Sequence, residues 1–215
     1  MKPLFYYILA SFLYLALNIN SVSANTNVCE GKKLVVFGDS LVAGFGLEPG
    51  AAFPEQLDKV FDAKGIKIEV INAGVSGDTT SSGLARLDWS VGEGVNAVIL
   101  ELGANDALRG IPPELTEKNL DTMIVKFKQK NIKVLLAGMM APPNMGEAYG
   151  KAFNGIYDRL AKKHDVQLYP FFLDGVVADA ALNQADGIHP TKEGIAVIVE
   201  KFIPSADKFL NEICK

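Results

Sequence analysis

Histidine and cysteine are scarce, with two of each in 215 residues, and there is a single tryptophan. Two His and two Cys cannot furnish a zinc ribbon, an iron–sulfur cluster or a dense disulfide scaffold. No block of like charge occurs, and the formal net charge is −4, from 21 basic and 25 acidic residues. An electrostatic grip on nucleic acid is therefore not expected. With 20 Gly, 10 Pro and no internal period, collagen-like and repeat architectures fall away as well. What is present is apolar: 49% of residues are hydrophobic and 21% charged, too much core for a disordered chain. The length suits one domain with a large core and is short for two.

The first 24 residues read as a cleaved export signal rather than as part of the fold. Met1-Lys2-Pro3 is a short basic start, Leu4 to Leu17 is almost purely apolar, and small residues close the segment at Val22-Ser23-Ala24. The apolar run is short for a membrane span of about 20 residues, so no stable anchor is expected after cleavage. The mature chain, residues 25–215, is expected in the periplasm or outside the cell. Export makes Cys29 and Cys214 interesting, because they lie at the two ends of that chain and an oxidising compartment permits a bridge between them. Such a bridge would close a loop worth about 4 to 5 kcal/mol in the chain-entropy model. Two unpaired thiols remain the alternative.

The mature chain alternates strand-like and helix-like segments. Strands are predicted at Lys33–Phe37, Ile66–Ile71, Val95–Leu102, Val134–Met140 and Val166–Leu168. Helical spacing appears at Phe53, Leu57, Val60 and Phe61, stopped by Gly65, and again from Thr79 to about Ser90. Thr116 is placed as the cap of a helix carrying Leu120, Met123, Ile124 and Phe127. Phe153, Ile156, Tyr157 and Leu160 mark the next helix, and the last runs from about Thr191 to Ile213. Alternating β and α with continuous apolar strands implies a parallel sheet covered on both faces. The expected fold is α/β: a flavodoxin-like, doubly wound, five-stranded sheet in three α/β/α layers, with strand order 2-1-3-4-5.

Ligands in this architecture bind beyond the carboxyl ends of the strands. Gly38-Asp39-Ser40-Leu41 follows the first strand, Asn72 to Asp78 the second and Gly103-Ala104-Asn105-Asp106 the third, while Asp186-Gly187-Ile188-His189-Pro190 precedes the last helix. Their convergence on one sheet edge marks a site. A serine there is a weak nucleophile without a base. His164, in Lys162-Lys163-His164-Asp165, reads as a solvated cation at a helix C-terminus. His189 lies three residues after Asp186, so the carboxylate can hold one ring nitrogen and leave the other for Ser40. The backbone N–H groups of Ser40 and Gly77 and the amide of Asn105 are candidate donors to a developing oxyanion. Taken one at a time, Ser40 reads as a turn residue, Gly77 as a position needing positive φ and Asn105 as a loop cap; together they read as an acyl-transfer site.

Two rival chemistries fit less well. Asp39, Asp106, Asp186 and His189 could hold a metal for phosphoester hydrolysis, but the Ser and the uncharged Asn are then unexplained. Gly44-Phe45-Gly46-Leu47-Glu48-Pro49-Gly50 misses the dinucleotide-binding glycine spacing by one residue and contains proline. The α/β-hydrolase nucleophile elbow is also absent, since Val42 occupies its last glycine position.

These blocks resemble those of the SGNH, or GDSL, hydrolase superfamily. Phe37-Gly38-Asp39-Ser40-Leu41 is similar to its first block, Gly77 in Val75-Ser76-Gly77-Asp78 to the second, Gly103-Ala104-Asn105-Asp106 to the third and Asp186 to Pro190 to the last. Gly83-Leu84-Ala85-Arg86-Leu87, Leu108-Arg109-Gly110 and Tyr169-Pro170-Phe171-Phe172 further resemble its periplasmic thioesterase, lysophospholipase and arylesterase group. The resemblance implies a serine esterase acting on acyl esters and thioesters, with Ser40 as nucleophile, His189 as base and Asp186 as its orienting partner. It implies an oxyanion hole from Ser40, Gly77 and Asn105, no cofactor and no metal. Departures are Ala104, where close relatives carry a second glycine, and Met139-Met140-Ala141-Pro142-Pro143. Leu108, Ile111, Met139, Met140 and Pro143 are the expected lining of an acyl groove. The partner is a small acyl ester, thioester or lysophospholipid, and a monomer is expected. A carbohydrate-ester deacetylase and a non-catalytic flavodoxin-like binding module are the alternatives.

Overall fold

A computed structural model describes residues 29–214; the export signal expected at residues 1–24 lies outside the described residues. Five parallel strands form one sheet in the order β2-β1-β3-β4-β5: β1 Lys32–Gly38, β2 Ile68–Gly74, β3 Ala97–Glu101, β4 Lys133–Ala137 and β5 Gln167–Tyr169. The register sets Val35 beside both Ile71 and Val98, and Leu136 beside both Leu100 and Leu168. The inner strands read Leu-Val-Val-Phe, Ala-Val-Ile-Leu and Val-Leu-Leu-Ala, and nearly all of these side chains are buried. β-Branched and apolar side chains on both faces suit a strand covered from both sides.

The helices are α1 Ser40–Ala43, α2 Phe53–Ala63, α3 Thr80–Ser90, α4 Ala104–Leu108, α5 Pro113–Gln129, α6 Glu147–Asn154, α7 Ile156–His164 and α8 Lys192–Ile213. The first crossover runs outward from β1 to β2, and every later one runs the opposite way. Right-handed connections then put α2 on one face and α3, α5 and α7 on the other. The contacts agree: α2 packs with α8, and α3 with α5 and α5 with α7. Between α2 and α8, Phe53 meets Phe172 and Phe202 edge-on at 4.9 and 5.2 Å. The reversal of direction opens a crevice at the carboxyl ends of β1 and β3.

Several local expectations need correction. Thr116 does not cap α5, which starts at Pro113 because proline suits the first helical position. The single helix expected around Phe153 to Leu160 is two, broken at Gly155. The short helix α4, inside the loop after β3, was not foreseen. His164 does end a helix but is buried, with Nε2 2.5 Å from Asp121 Oδ1, and is not solvated. Cys29 and Cys214 are joined in a disulfide, with Cα atoms 4.8 Å apart, and among the described residues no cysteine is free. Among the described residues, no helix is long and apolar enough to cross a membrane.

Candidate active site

β1 ends at Gly38, and Asp39 turns the chain into α1 by accepting the Leu41 N–H on Oδ1 at 3.0 Å. Ser40 is therefore the first residue of a helix, where a backbone N–H has no intrahelical acceptor. Its Oγ lies 2.9 Å from His189 Nε2. On the other side of the ring, His189 Nδ1 lies 2.7 Å from Asp186 Oδ2. The second oxygen of Asp186 accepts the N–H groups of Ile188 and His189, both at 3.0 Å. These three bonds, the imidazole first, hold the Asp186 carboxyl down at about 2. An anionic Asp186 requires the proton on Nδ1, which leaves the Nε2 lone pair for the serine hydroxyl. Asp186, His189 and Ser40 thus form one hydrogen-bonded chain.

The three expected oxyanion donors take different supports. Asn105, in α4, donates to Asp39 Oδ2 at 3.1 Å. An amide carries two N–H groups, so one remains for a ligand in the cavity that Asn105 lines. Gly77 adopts φ +85° in the turn after β2, a conformation that favours glycine. That turn is braced by Arg86, a residue the sequence reading passed over except as part of a resemblance. Arg86 Nε pairs with Asp78 at 2.5 Å, and its Nη2 donates to the Gly38 carbonyl at 2.9 Å. Its guanidinium also stacks 4.0 Å over the Phe37 ring. One cation therefore ties the Gly77 turn to the strand end that precedes Ser40. A charged residue between Leu84 and Leu87, both on the packed side of the helix, was the available signal.

Asp106 is spoken for as well. It accepts from the Thr80 N–H at 2.8 Å, the Thr80 hydroxyl and the Thr116 hydroxyl at 3.0 Å. These bonds pin α4, and Asn105 with it, to α3 and α5. Deeper still, Glu101 is fully buried and accepts the Asp39 N–H at 3.3 Å. Burial pushes the Asp39 carboxyl up to about 6, and burial together with the Asp39 charge pushes Glu101 well above its ordinary value. Among the described residues, no group of three His, Cys, Asp or Glu side chains is placed to hold a metal ion.

A cavity of about 370 Å³ opens beside Ser40 and His189. Four of the five expected lining residues reach it: Leu108, Met139, Met140 and Pro143. Ile111 does not; it is half-buried beyond α4, where its carbonyl accepts the Tyr149 hydroxyl at 2.8 Å. Phe171, Leu173, Val177 and Ile188 complete the apolar wall and were not foreseen, since they come from loops without periodicity. A larger cavity of about 610 Å³ lies at the opposite sheet edge, lined by Lys133, His164 and Gln167 among others, and is remote from this chemistry.

Residues 36–197 match the GDSL-like Lipase/Acylhydrolase family. The chain is 38% identical over 186 residues to Esterase TesA of Pseudomonas aeruginosa, covering 86% of this chain and 92% of that protein. It is 40% identical over 170 residues to an arylesterase of Vibrio mimicus, covering 79% and 85%. A crystal structure of TesA aligns with a TM-score of 0.80 at 38% identity, covering 83% of this chain and 100% of that one.

Proposed function

The chain belongs to the GDSL-like lipase/acylhydrolase family, and from that premise we propose that it is a serine esterase and thioesterase working through an acyl-enzyme on Ser40. The observation that carries this reading is the hydrogen-bonded chain from Asp186 through His189 to Ser40, at 2.7 and 2.9 Å. Ser40 Oγ attacks the ester or thioester carbonyl while its proton passes to His189 Nε2. The negative charge that forms on the carbonyl oxygen meets the N–H groups of Ser40 and Gly77 and the Asn105 amide. The C–O or C–S bond then breaks, and His189 gives its proton to the leaving oxygen or sulfur. Water, deprotonated by His189, attacks the acyl-serine and releases a carboxylic acid and free Ser40. Asp186 keeps the imidazole in the required tautomer throughout.

The apolar cavity beside Ser40 suits an acyl chain better than an acetyl group on a sugar. Names of relatives such as esterase TesA, arylesterase and lysophospholipase L1 support small-molecule acyl esters as substrates. Export after cleavage of residues 1–24 belongs to the same reading, supported by the disulfide; N-terminal sequencing of the secreted protein should begin at Asn25. Sizing by light scattering should give a monomer. The principal experiment is hydrolysis of p-nitrophenyl esters from acetate to palmitate by the wild type and Ser40→Ala. A loss of about 10⁴-fold or more in the variant is expected, with preference for chains longer than acetyl. Turnover indifferent to Ser40 overturns the mechanism, and activity confined to acetyl esters moves the substrate to the deacetylase class.

A further inference from the structure

The glycine-rich loop between α1 and α2 lacks the dinucleotide-binding spacing, yet its conformation is closely specified. Gly44 and Gly46 adopt φ +78° and +72°, and a side chain on Gly46 would run into the Gln184 amide. The loop closes on the nucleophile's own backbone, with the Phe45 N–H donating to the Ser40 carbonyl at 3.2 Å. The result sets the Phe45 ring against the His189 imidazole, with centroids 4.5 Å apart and planes 37° from parallel. Phe45 is half exposed, which is costly for a phenyl ring without a partner.

Gln184 fastens this arrangement from the other side. Its Nε2 donates to the Phe45 carbonyl at 2.8 Å and to the Pro190 carbonyl at 3.0 Å. Its backbone N–H donates to the His189 carbonyl at 2.7 Å. One residue therefore joins the aromatic loop to the histidine loop across two otherwise separate stretches of chain.

The imidazole needs such a contact. Its hydrogen bonds leave from Nδ1 and Nε2, at roughly opposite ends of the ring. Bonds so placed fix the ring along that axis but resist rotation about it only weakly. A flat apolar surface against one face stops that rotation, and an aromatic face also favours the imidazolium that forms during acylation. Resting on the reading of His189 as the base, we propose that Phe45 and Gln184 are positioning residues that set the tilt of the His189 ring. Neither lines the acyl cavity, so they act on turnover and not on acyl-chain binding.

The test compares Phe45→Leu, Phe45→Tyr, Gln184→Met and Ser40→Ala in the mature protein. kcat and KM are read on a medium-chain p-nitrophenyl ester, and Ser40 reactivity is read as the rate of labelling by a fluorophosphonate. Phe45→Leu should lower kcat and the labelling rate together, by about tenfold, with KM held within about twofold. Phe45→Tyr should recover to within about threefold of wild type, because it keeps the ring. Gln184→Met, which keeps the length and loses both donors, should lower kcat by about threefold. A Phe45→Leu enzyme with wild-type kcat, a loss confined to KM, or a Phe45→Tyr enzyme as poor as Phe45→Leu overturns this inference alone. An active Ser40→Ala enzyme overturns the underlying reading with it.

Discussion

The chain has two histidines, and each is paired with an aspartate, at opposite edges of the same sheet. At the carboxyl edge His189 Nδ1 meets Asp186 at 2.7 Å; at the amino edge His164 Nε2 meets Asp121 at 2.5 Å. Both rings are largely covered. The difference lies in what else each pair touches. His189 offers its other nitrogen to a serine beside an open cavity. Asp121 is shared with Lys163 at 2.7 Å, and Lys128 grips the His164 carbonyl. Burial would raise the Asp121 carboxyl, but Lys163 and His164 pull it below its ordinary value. An aspartate–histidine contact is thus no signature of catalysis. The partner of the second nitrogen decides, and His164 serves to fasten α7 to α5.

The sharpest way to break this contrast is to truncate both rings. His189→Ala should lower kcat by about 10³- to 10⁶-fold and leave the melting temperature nearly unchanged. His164→Ala should leave kcat within about twofold and lower stability by about 1–3 kcal/mol, through the lost bond to Asp121 and the gap left by the buried ring. Steady-state kinetics and thermal melts on the same preparations check both. A His164→Ala enzyme that melts normally but turns over tenfold slower would erase the distinction.

The aspartates should divide in the same way. Asp186→Asn should cost about 10⁴-fold in kcat by favouring the wrong tautomer of His189. Because the Asp186 carboxyl sits at about 2, its own ionisation adds no pH dependence to the deficit between about pH 5 and about pH 8. Stability owed to this carboxylate is present above its unfolded value and is lost only as pH falls through about 2. Asp121→Asn should show no kinetic deficit at any of these pH values.

The contrast also explains what could be read in the sequence. Strand order, alternation and the four polar blocks were legible, because buried parallel strands are continuous apolar runs and each is followed by its loop. The Ser40–His189 pairing followed from topology, since residues 149 apart in sequence share a sheet edge. Burial of His164 was not legible, because Lys162-Lys163-His164-Asp165 has the composition of a solvated helix end and only α5 tells otherwise. Ile111 was misplaced for a similar reason: it follows Leu108 on the chain, but the turn after α4 aims it away from the cavity. Phe45 hid in a glycine-rich loop that was weighed only against a dinucleotide-binding pattern it does not fit. Arg86 hid in a helix whose apolar positions, Leu84 and Leu87, already account for its packing.

The amino edge is also where Cys29 and Cys214 are tied, and there the expected effects are on stability alone. Cys29 and Cys214 are 185 residues apart, so Cys29→Ser should remove about 5 kcal/mol in the chain-entropy model. Denaturant melts of the variant, and of the wild type with and without reductant, measure this. Per folded molecule, kcat at low temperature should be unchanged, because the bridge lies at the edge away from Ser40. A matching loss of kcat would show the two edges to be coupled.

The smallest expected effect concerns a residue that belongs to the active edge by position and to the structural class by chemistry. Glu101 ends β3 beside the residue that precedes Ser40, with Oε2 accepting the Asp39 N–H and Oε1 buried without a partner. Burial, and then the Asp39 charge, push its carboxyl well above the ordinary value. A carboxyl raised in the folded state contributes stability that is full below its unfolded value and is lost as pH rises through the folded one. Asp39, pushed up to about 6, acts in the same direction. Wild-type stability should therefore decline as pH rises from about 4 through about 6, where Asp39 ionises, and further as Glu101 ionises. Glu101→Gln keeps the shape of the neutral acid and cannot ionise, so its decline should be shallower and its advantage about 1 kcal/mol at the upper end. The remaining slope then reports Asp39. Because the glutamine oxygen can still accept the Asp39 N–H, kcat should stay within about threefold of wild type. An unchanged slope would mean that Glu101 is ionised in the folded protein, with its charge held against the Asp39 N–H.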